Sequence, residues 1–465
     1  MSDNKLPFSE LTAISPLDGR YRSRVEELSP YVSEYALIKF RIEIEIKYLL
    51  ALSEAGVTRK FTDDEKKILQ KHLTETNFED IQKVKEWEKK TRHDVKAVEI
   101  TLQNIIADTS LIDQIQMLHI GLTSEDINNI AYRLILSRGT QVAIKTLNEL
   151  INELVVLAEQ NKNVPMLART HGQPAVPTTL GKEISTFAVR LDRQVKKMEK
   201  QKLTGKLNGA VGNFNALQYV YPDINWPNFS AKFISSFELI PNLFTTQINQ
   251  YDDVIEYLQN IQRINSILID LDQDMWRYIS DEWFVQVVKK GEIGSSTMPQ
   301  KVNPIDFENS EGNLGIANGI IESMARKLPI SRLQRDLSDS TTIRNYGSLL
   351  GYSLVGYKST LSGLSRIQPN KEKIIEVLNK DWGILSEGLQ TLLRKYKYPD
   401  PYSFAAELVK GKRTDEELWH KWINMSEIPE DIKISLGELS PEKYIGLAVE
   451  LTEKAIDEIR SSRKK

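Results

Sequence analysis

At 465 residues the chain is too long for one small domain, and about two to four domains are expected. With 61 Lys and Arg against 64 Asp and Glu, its net charge of -3 gives no electrostatic reason for nucleic acid or an anionic membrane as a bulk partner. The absence of cysteine excludes disulfides, thiolate catalysis and Cys-ligated zinc or iron–sulfur sites.

The polar start Met1-Ser2-Asp3-Asn4-Lys5 has no apolar signal core behind it. No apolar run reaches the roughly 20 residues of a membrane span, so a cytoplasmic enzyme is expected. The first distinctive segment, Ser15-Pro16-Leu17-Asp18-Gly19-Arg20-Tyr21, is either a plain turn or one that delivers an Arg and a Tyr to a site. Helices are predicted over 34–54 and 64–75. Lys90-Thr91-Arg92-His93-Asp94-Val95-Lys96-Ala97-Val98-Glu99 has, by its charges alone, the look of a solvated helix start. Thr123-Ser124-Glu125-Asp126 has the form of an N-cap with an acidic first turn. That is sufficient structural explanation, although hydroxyls at a helix N-terminus also suit a carboxylate ligand.

From there the periodicity is helical, and no stretch alternates as a run of strands would. Leu147, Leu150, Leu154 and Leu157 recur in steps of three and four, as do Leu180, Ile184, Phe187, Leu191, Val195 and Met198. Between these stripes, Arg169-Thr170-His171-Gly172-Gln173-Pro174-Ala175 reads as a rigid turn before a helix starting near Thr178. A His held on such a turn can be aimed, and its pKa suits proton transfer near neutral pH. Thr245-Thr246-Gln247-Ile248 is a polar break or helix cap before a long helix from 252. That helix carries Val254, Leu258, Ile261, Ile264, Leu268, Leu271, Met275 and Tyr278 on one stripe.

Gly291-Glu292-Ile293-Gly294-Ser295-Ser296-Thr297-Met298-Pro299-Gln300-Lys301-Val302-Asn303-Pro304 is the most informative stretch. Its glycines permit backbone conformations closed to other residues. Its hydroxyls offer a nucleophile or base, and Lys301 offers a fixed cation for an anionic substrate. A long loop of this content reads as an active-site lid. Another stripe follows at Leu314, Ala317, Ile321, Met324 and Leu328. Ser331-Arg332-Leu333-Gln334-Arg335-Asp336-Leu337-Ser338-Asp339-Ser340, with Arg344, is either a salt-bridged surface helix or a phosphate clamp. After about residue 366, Pro369, Pro399, Pro401, Pro429 and Pro441 punctuate short helices, and the basic tail from Arg460 reads as solvated.

These shifts divide the chain into an N-terminal helical domain (1–112), a central helix bundle (113–365) and a C-terminal helical domain (366–465), all-α throughout. Long stripes of this kind are expected to be sealed against another subunit. Of five histidines, His72 and His420 read as surface and His119 as buried near Thr123, which leaves His93 and His171 as candidates for chemistry. No pair has metal-site spacing, so neither a metal nor another cofactor is expected.

The loop 291–304 resembles the signature loop of the fumarase/aspartase superfamily, G-S-S-x-M-P-x-K-x-N-P, with every fixed position present. Within that superfamily, the segments around His171, His93–Glu99, Thr123–Asn129, Arg335-Asp336-Leu337 and the Ser15–Tyr21 start are similar to the adenylosuccinate lyase family of bacterial purine biosynthesis. The resemblance runs from about residue 11 to the C-terminus. It implies three all-α domains around a central long-helix bundle. It also implies a homotetramer whose active sites each draw on three subunits. The implied reactions eliminate fumarate from adenylosuccinate, giving AMP, and from SAICAR, giving AICAR.

The resemblance further assigns Ser295 as general base, His171 as general acid and Glu308 as the partner of the imidazole. Lys301 and Asn303 would hold the developing dianion. Arg20, Tyr21, Arg335, Ser340 and Arg344 would hold the nucleotide phosphate. His93, Asp94, Thr123, Ser124, Gln247 and Asn309 would contact base, ribose or succinyl group, with Arg92 and Ser296 completing the binding set. Two residues depart from the pattern: Gln300, where many relatives have His or Tyr, and Arg92, where close bacterial relatives have Asn. Gln300 is expected to alter loop packing only, whereas Arg92 adds a cation near a substrate segment. The competing readings are a lyase for argininosuccinate or a carboxy-muconate, and a non-catalytic protein on the same fold. The Thr170-His171-Gly172-Gln173 segment and the Arg–Ser cluster oppose the first; intact His171, Ser295, Lys301 and Glu308 oppose the second.

Overall fold

The computed structural model describes residues 6–287, 298, 300–411 and 413–463. Its main elements begin with helices α1 (Glu34–Glu54), α2 (Asp63–Thr74), α3 (Phe78–Thr91), α4 (Asp94–Ala107) and α5 (Ser124–Gln160). Strands β1 (Pro165–Thr170) and β2 (Gln173–Thr179) lead into α6 (Leu180–Lys200), and β3 (Thr204–Gly205) and β4 (Ile240–Pro241) precede α7 (Asp252–Ser280). After β5 (Phe284–Gln286) come α8 (Ile305–Lys327), α9 (Ser338–Ile343), α10 (Tyr346–Leu364) and β6 (Ile367–Pro369), and further helices run from Lys371 to Arg463.

Two compact units share the chain. One holds the residues up to Thr146 with Val195–Ser266 and Gly312–Lys358, and the other holds Leu147–Gln194, Ile267–Glu311 and the residues from Ser359. Every boundary between them falls inside a helix (α5, α6, α7, α8 or α10).

In the first unit, α1 is apolar over most of its circumference, as a helix enclosed by neighbours must be. Its Ile38, Ile42, Ile46 and Leu49 pack with Phe61, Leu69, Ile81, Val84, Val98, Leu102 and Ile106 from the segments that follow. Ser33 caps α1 by accepting from the Ala36 N–H at 3.3 Å. Thr62 and Glu65 form a reciprocal capping box at α2, so the sequence marks both helix starts chemically. The tight α3–α4 turn places Arg92 in the left-handed region, φ 54°, and makes His93 the N-cap of α4, its Nδ1 accepting the Lys96 N–H at 3.1 Å.

The second unit supplies a hairpin that the periodicity did not predict. β1 and β2 pair antiparallel with Thr170 opposite Gln173, leaving His171 and Gly172 as a two-residue tip. Their φ values of 54° and 72° are those of a type I′ turn. The segment expected to be a rigid turn before a helix near Thr178 is therefore a hairpin whose second strand runs to Thr179, and α6 starts at Leu180. Pro174 and Pro177 hid the strand, because proline is tolerated only at sheet edges. The all-α expectation otherwise holds, with three two-stranded sheets as its only exceptions among the described residues.

Gly181 shows how closely the hairpin exit packs. A Cβ there would lie 2.5 Å from both the Ala158 carbonyl oxygen and the Lys162 Cα, backbone atoms that no rotamer change can move. Gly181→Ala is expected to destabilise the protein by roughly 1–3 kcal/mol, seen as a lower denaturant midpoint at unchanged m-value.

Candidate functional site

Seven of the predicted binding residues meet in the first unit. Arg92, His93, Asp94, Ser124, Arg335, Ser340 and Arg344 line one cavity of about 370 Å3. Four sequence-distant segments create it: the middle of α1 at Arg41, the α3–α4 turn with the end of α3, the first turns of α5, and the stretch leading into and out of α9.

The framework behind these residues is a set of buried ion pairs. Arg41, only 2% exposed in the middle of α1, reaches Asp94 Oδ2 at 2.6 Å and donates from Nε to Asn128 Oδ1 at 2.9 Å. Burial alone would raise the Asp94 carboxyl, but the Arg41 charge and hydrogen bond, with the Val95 N–H, hold it below the usual carboxylate range. Glu125, also on the cavity wall, faces Arg335 Nη2 at 3.2 Å. Here burial wins over the attraction of Arg335, and with the Asp339 charge added, the Glu125 carboxyl is pushed up to about 7.

Thr123 and Gln247 do structural work around a second buried charge pair. The Thr123 N–H donates to Asp126 Oδ2 at 2.9 Å, closing the first turn of α5. Asp126 also accepts from the backbone N–H groups of Asn208 and Gly209, and from Lys206 Nζ at 2.9 Å. Lys206 in turn donates to the carbonyls of Gly209 and Gln247, both at 3.0 Å. Arg20 is exposed and Tyr21 half-buried on the Ser15–Tyr21 turn, which is closed by hydrogen bonds from Gly19 N–H to Ser15 and from Tyr21 N–H to Pro16. Asp18 and Arg22, beside them, line a second cavity, of about 360 Å3, which shares Arg344 with the first.

Arg41, Glu125, Asp126 and Lys206 were not predicted site residues. Arg41 left the clearest signal, a lone guanidinium between Phe40 and Ile42 in an apolar run. The Glu125-Asp126 pair carries the charge pattern of any helix N-terminus, and nothing local distinguishes Lys206. His119, expected to be buried near Thr123, is mostly buried, but its ring pairs with Glu45 at 2.5 Å. Burial pulls that imidazole down, yet the Glu45 charge and hydrogen bond outweigh it and raise the pKa. His420, read as surface, is half-buried with its ring against Trp382.

The left-handed backbone at Arg92 carries a local cost. That conformation disfavours a long L side chain by about 1–2 kcal/mol and is easier for asparagine. Arg92→Asn is expected to raise the thermal midpoint while removing one cation from the cavity.

The remaining predicted residues that are described lie in the second unit. His171 is exposed at the hairpin tip. Glu308 stands in the first turn of α8, its Oε1 accepting the Trp276 indole N–H at 3.1 Å. Lys301 is exposed just before α8, its N–H bonded to the Met298 carbonyl at 3.0 Å. Asn303 is half-buried, and Asn309 Oδ1 accepts the Ser359 hydroxyl at 2.8 Å. No hydrogen bond joins His171 to Glu308 among the described residues. Ser295 and Ser296 lie outside the described residues.

No helix among the described residues is long and apolar enough to cross a membrane. Structurally, the chain is similar to a fumarate lyase from Mesorhizobium sp. BNC1, with a TM-score of 0.74 at 17% identity over 93% of this chain and 97% of that one. It is likewise similar to the 3-carboxy-cis,cis-muconate lactonizing enzyme of Pseudomonas putida, with a TM-score of 0.73 at 16% identity over 94% and 97%. At such identities these likenesses speak for the fold alone. In sequence, residues 19–319 match a lyase family, which makes the chain a lyase by class. Residues 331–445 match the adenylosuccinate lyase C-terminal family. The chain is 45% identical to the adenylosuccinate lyase of Haemophilus influenzae over 97% of its own length and 100% of the relative's. It is 41% identical to that of Escherichia coli strain K12 over 98% and 100%, and 45% identical to that of Dictyostelium discoideum over 95% and 98%. The chain belongs to the adenylosuccinate lyase family of carbon–nitrogen lyases.

Proposed function

We propose that this enzyme eliminates fumarate from adenylosuccinate, leaving AMP, and from SAICAR, leaving AICAR, in purine nucleotide biosynthesis. The observation that carries the substrate class is the first unit's cavity, where Arg92, Arg335 and Arg344 stand with Ser124 and Ser340. Guanidinium forks with hydroxyls suit phosphate and carboxylate oxygens. Arg335, Ser340 and Arg344, joined by Arg20 and Tyr21, hold the phosphate. His93, Asp94, Thr123, Ser124, Gln247, Ser296 and Asn309 contact base, ribose or succinyl group.

The reaction breaks a C–N bond and a C–H bond on adjacent carbons of the succinyl group. Ser295 takes the proton from the weakly acidic carbon, and the electron pair left behind develops as negative charge on the neighbouring carboxylate. Lys301 and Asn303 stabilise that charge, which is the demanding part of the chemistry. As the C=C bond forms, the C–N electrons leave with nitrogen, and His171 delivers the proton that neutralises it. Glu308 fixes the imidazole tautomer and raises its basicity. The exposed positions of His171, Lys301 and Glu308 suit a site completed across subunits of a homotetramer, working in the cytoplasm. The helical segments 1–112, 113–365 and 366–465 act as its three domains.

The test is fumarate release from adenylosuccinate and from SAICAR, followed by ultraviolet absorbance, with Ser295→Ala alongside. Turnover by the wild type and its near loss in the variant are the expected results. No turnover from folded protein would sink the substrate assignment, and activity surviving in Ser295→Ala would remove the base.

A further inference from the structure

We propose that Glu125 positions the guanidinium of Arg335 and takes up a proton when a phosphate dianion enters the cavity of the first unit. The inference rests on reading that cavity as the nucleotide site. Arg335 is shared between two carboxylates, with Nη2 3.2 Å from Glu125 Oε2 and 3.8 Å from Asp339 Oδ1. Its Nε is buried and makes no hydrogen bond to any described residue.

Arg92, His93, Asp94 and Arg344 share the cavity wall with Glu125, and the charged groups that act on it from behind that wall are already engaged. Arg133, on the same helix, pairs with Asp253 at 3.3 Å. Lys206, beyond β3, pairs with Asp126 at 2.9 Å. Tyr251, at the start of α7, donates its hydroxyl to Asp339 Oδ2 at 2.9 Å. Arg335 is therefore the cation that answers both Glu125 and Asp339, and a phosphate held by Arg335, Ser340 and Arg344 would be a third anion upon it. Like charges sharing a buried site do not all stay ionised, and one of them binds a proton.

The two carboxyls are not equivalent. Asp339 also accepts the Ser340 N–H at 2.7 Å beside the Tyr251 hydroxyl. The Glu125 side chain, 3% exposed, has the Arg335 pairing alone among the described residues. Glu125 is therefore the group that gives up its charge. Once protonated, it leaves the guanidinium free to serve the phosphate without leaving the cavity wall.

The experiment is calorimetric titration of AMP into the full-length protein and into Glu125→Gln at pH 8, in two buffers of different ionisation enthalpy. AMP is already a dianion at that pH, so any proton taken up goes to the protein. Wild type is expected to take up a large fraction of one proton per AMP, and Glu125→Gln none. Between pH 7 and 8.5 the wild-type affinity should fall with a slope of up to about 10-fold per pH unit, while the variant's stays flat. Adenosine, which lacks the phosphate, should give no uptake with either protein. Equal uptake in the two proteins would move the proton to another group, such as His93 on the same wall, and overturn the proposal. Absence of uptake in the wild type overturns it without reference to any variant. Failure of AMP to bind either protein would instead sink the reading of the cavity as the nucleotide site, and this inference with it.

Discussion

His171→Ala and His171→Asn are both expected to lower fumarate release by about 10²–10⁴-fold with little change in the thermal midpoint. The imidazole is exposed at the tip of the hairpin, so its removal opens no cavity. The asparagine variant is the sharper of the two. His171 occupies the first tip position of a type I′ turn at φ 54°, where Asn-Gly is the preferred pair. Asparagine should therefore hold the hairpin at least as well as histidine does. An imidazole is not the side chain that hairpin stability alone would select at that position. Activity within a few-fold of wild type in His171→Asn would exclude the residue as the acid. Loss of both activity and folding would exclude the claim that its role is chemical rather than structural.

Lys206→Met is expected to destabilise the protein by about 3–5 kcal/mol, measured by urea unfolding. Lys206 and Asp126 are each 0% exposed and 2.9 Å apart. Removing the cation leaves the Asp126 carboxylate buried with three backbone N–H donors, those of Thr123, Asn208 and Gly209, but no counter-charge. The carbonyls of Gly209 and Gln247 lose a donor at the same time. By contrast, Arg190→Ala, which breaks an exposed pair with Asp270 at 2.6 Å, should cost less than about 1 kcal/mol. Because Asp126 anchors the turn that carries Ser124 and Glu125, Lys206→Met should also weaken AMP binding. A loss of stability no larger than that of Arg190→Ala would show that the pair is not a structural anchor.

Much of the molecule was legible in its sequence, because helix packing leaves a periodic trace. Leu147, Leu150 and Leu154 are buried, as are Leu258, Ile264, Leu268 and Met275, all on the predicted stripes. Tyr278, the last residue of the α7 stripe, is half-buried. The prolines of the C-terminal region fall where helices cannot continue: Pro401 opens a helix and Pro429 stands immediately before one. The motif segments also named most of the residues that line the first unit's cavity, since their side-chain chemistry is readable without a structure.

Other features had no local signature. The hairpin under His171 was concealed by its own prolines and by a first strand that does not alternate, since Met166 and Leu167 are both buried and the register shifts between Leu167 and Arg169. Arg41, Asp94 and Asn128 form one network although 53 and 87 positions separate Arg41 from its partners. The Lys206 ammonium finds Asp126 across a similar gap in the chain. What the sequence by itself determined here is helical class and family, because period and motif are properties of neighbouring positions. That the Glu125 carboxyl is pushed up while that of Asp94 is held down was decided only by the tertiary structure. Both shifts depend on desolvation and on the nearest charges, and for these two residues those come from distant parts of the chain.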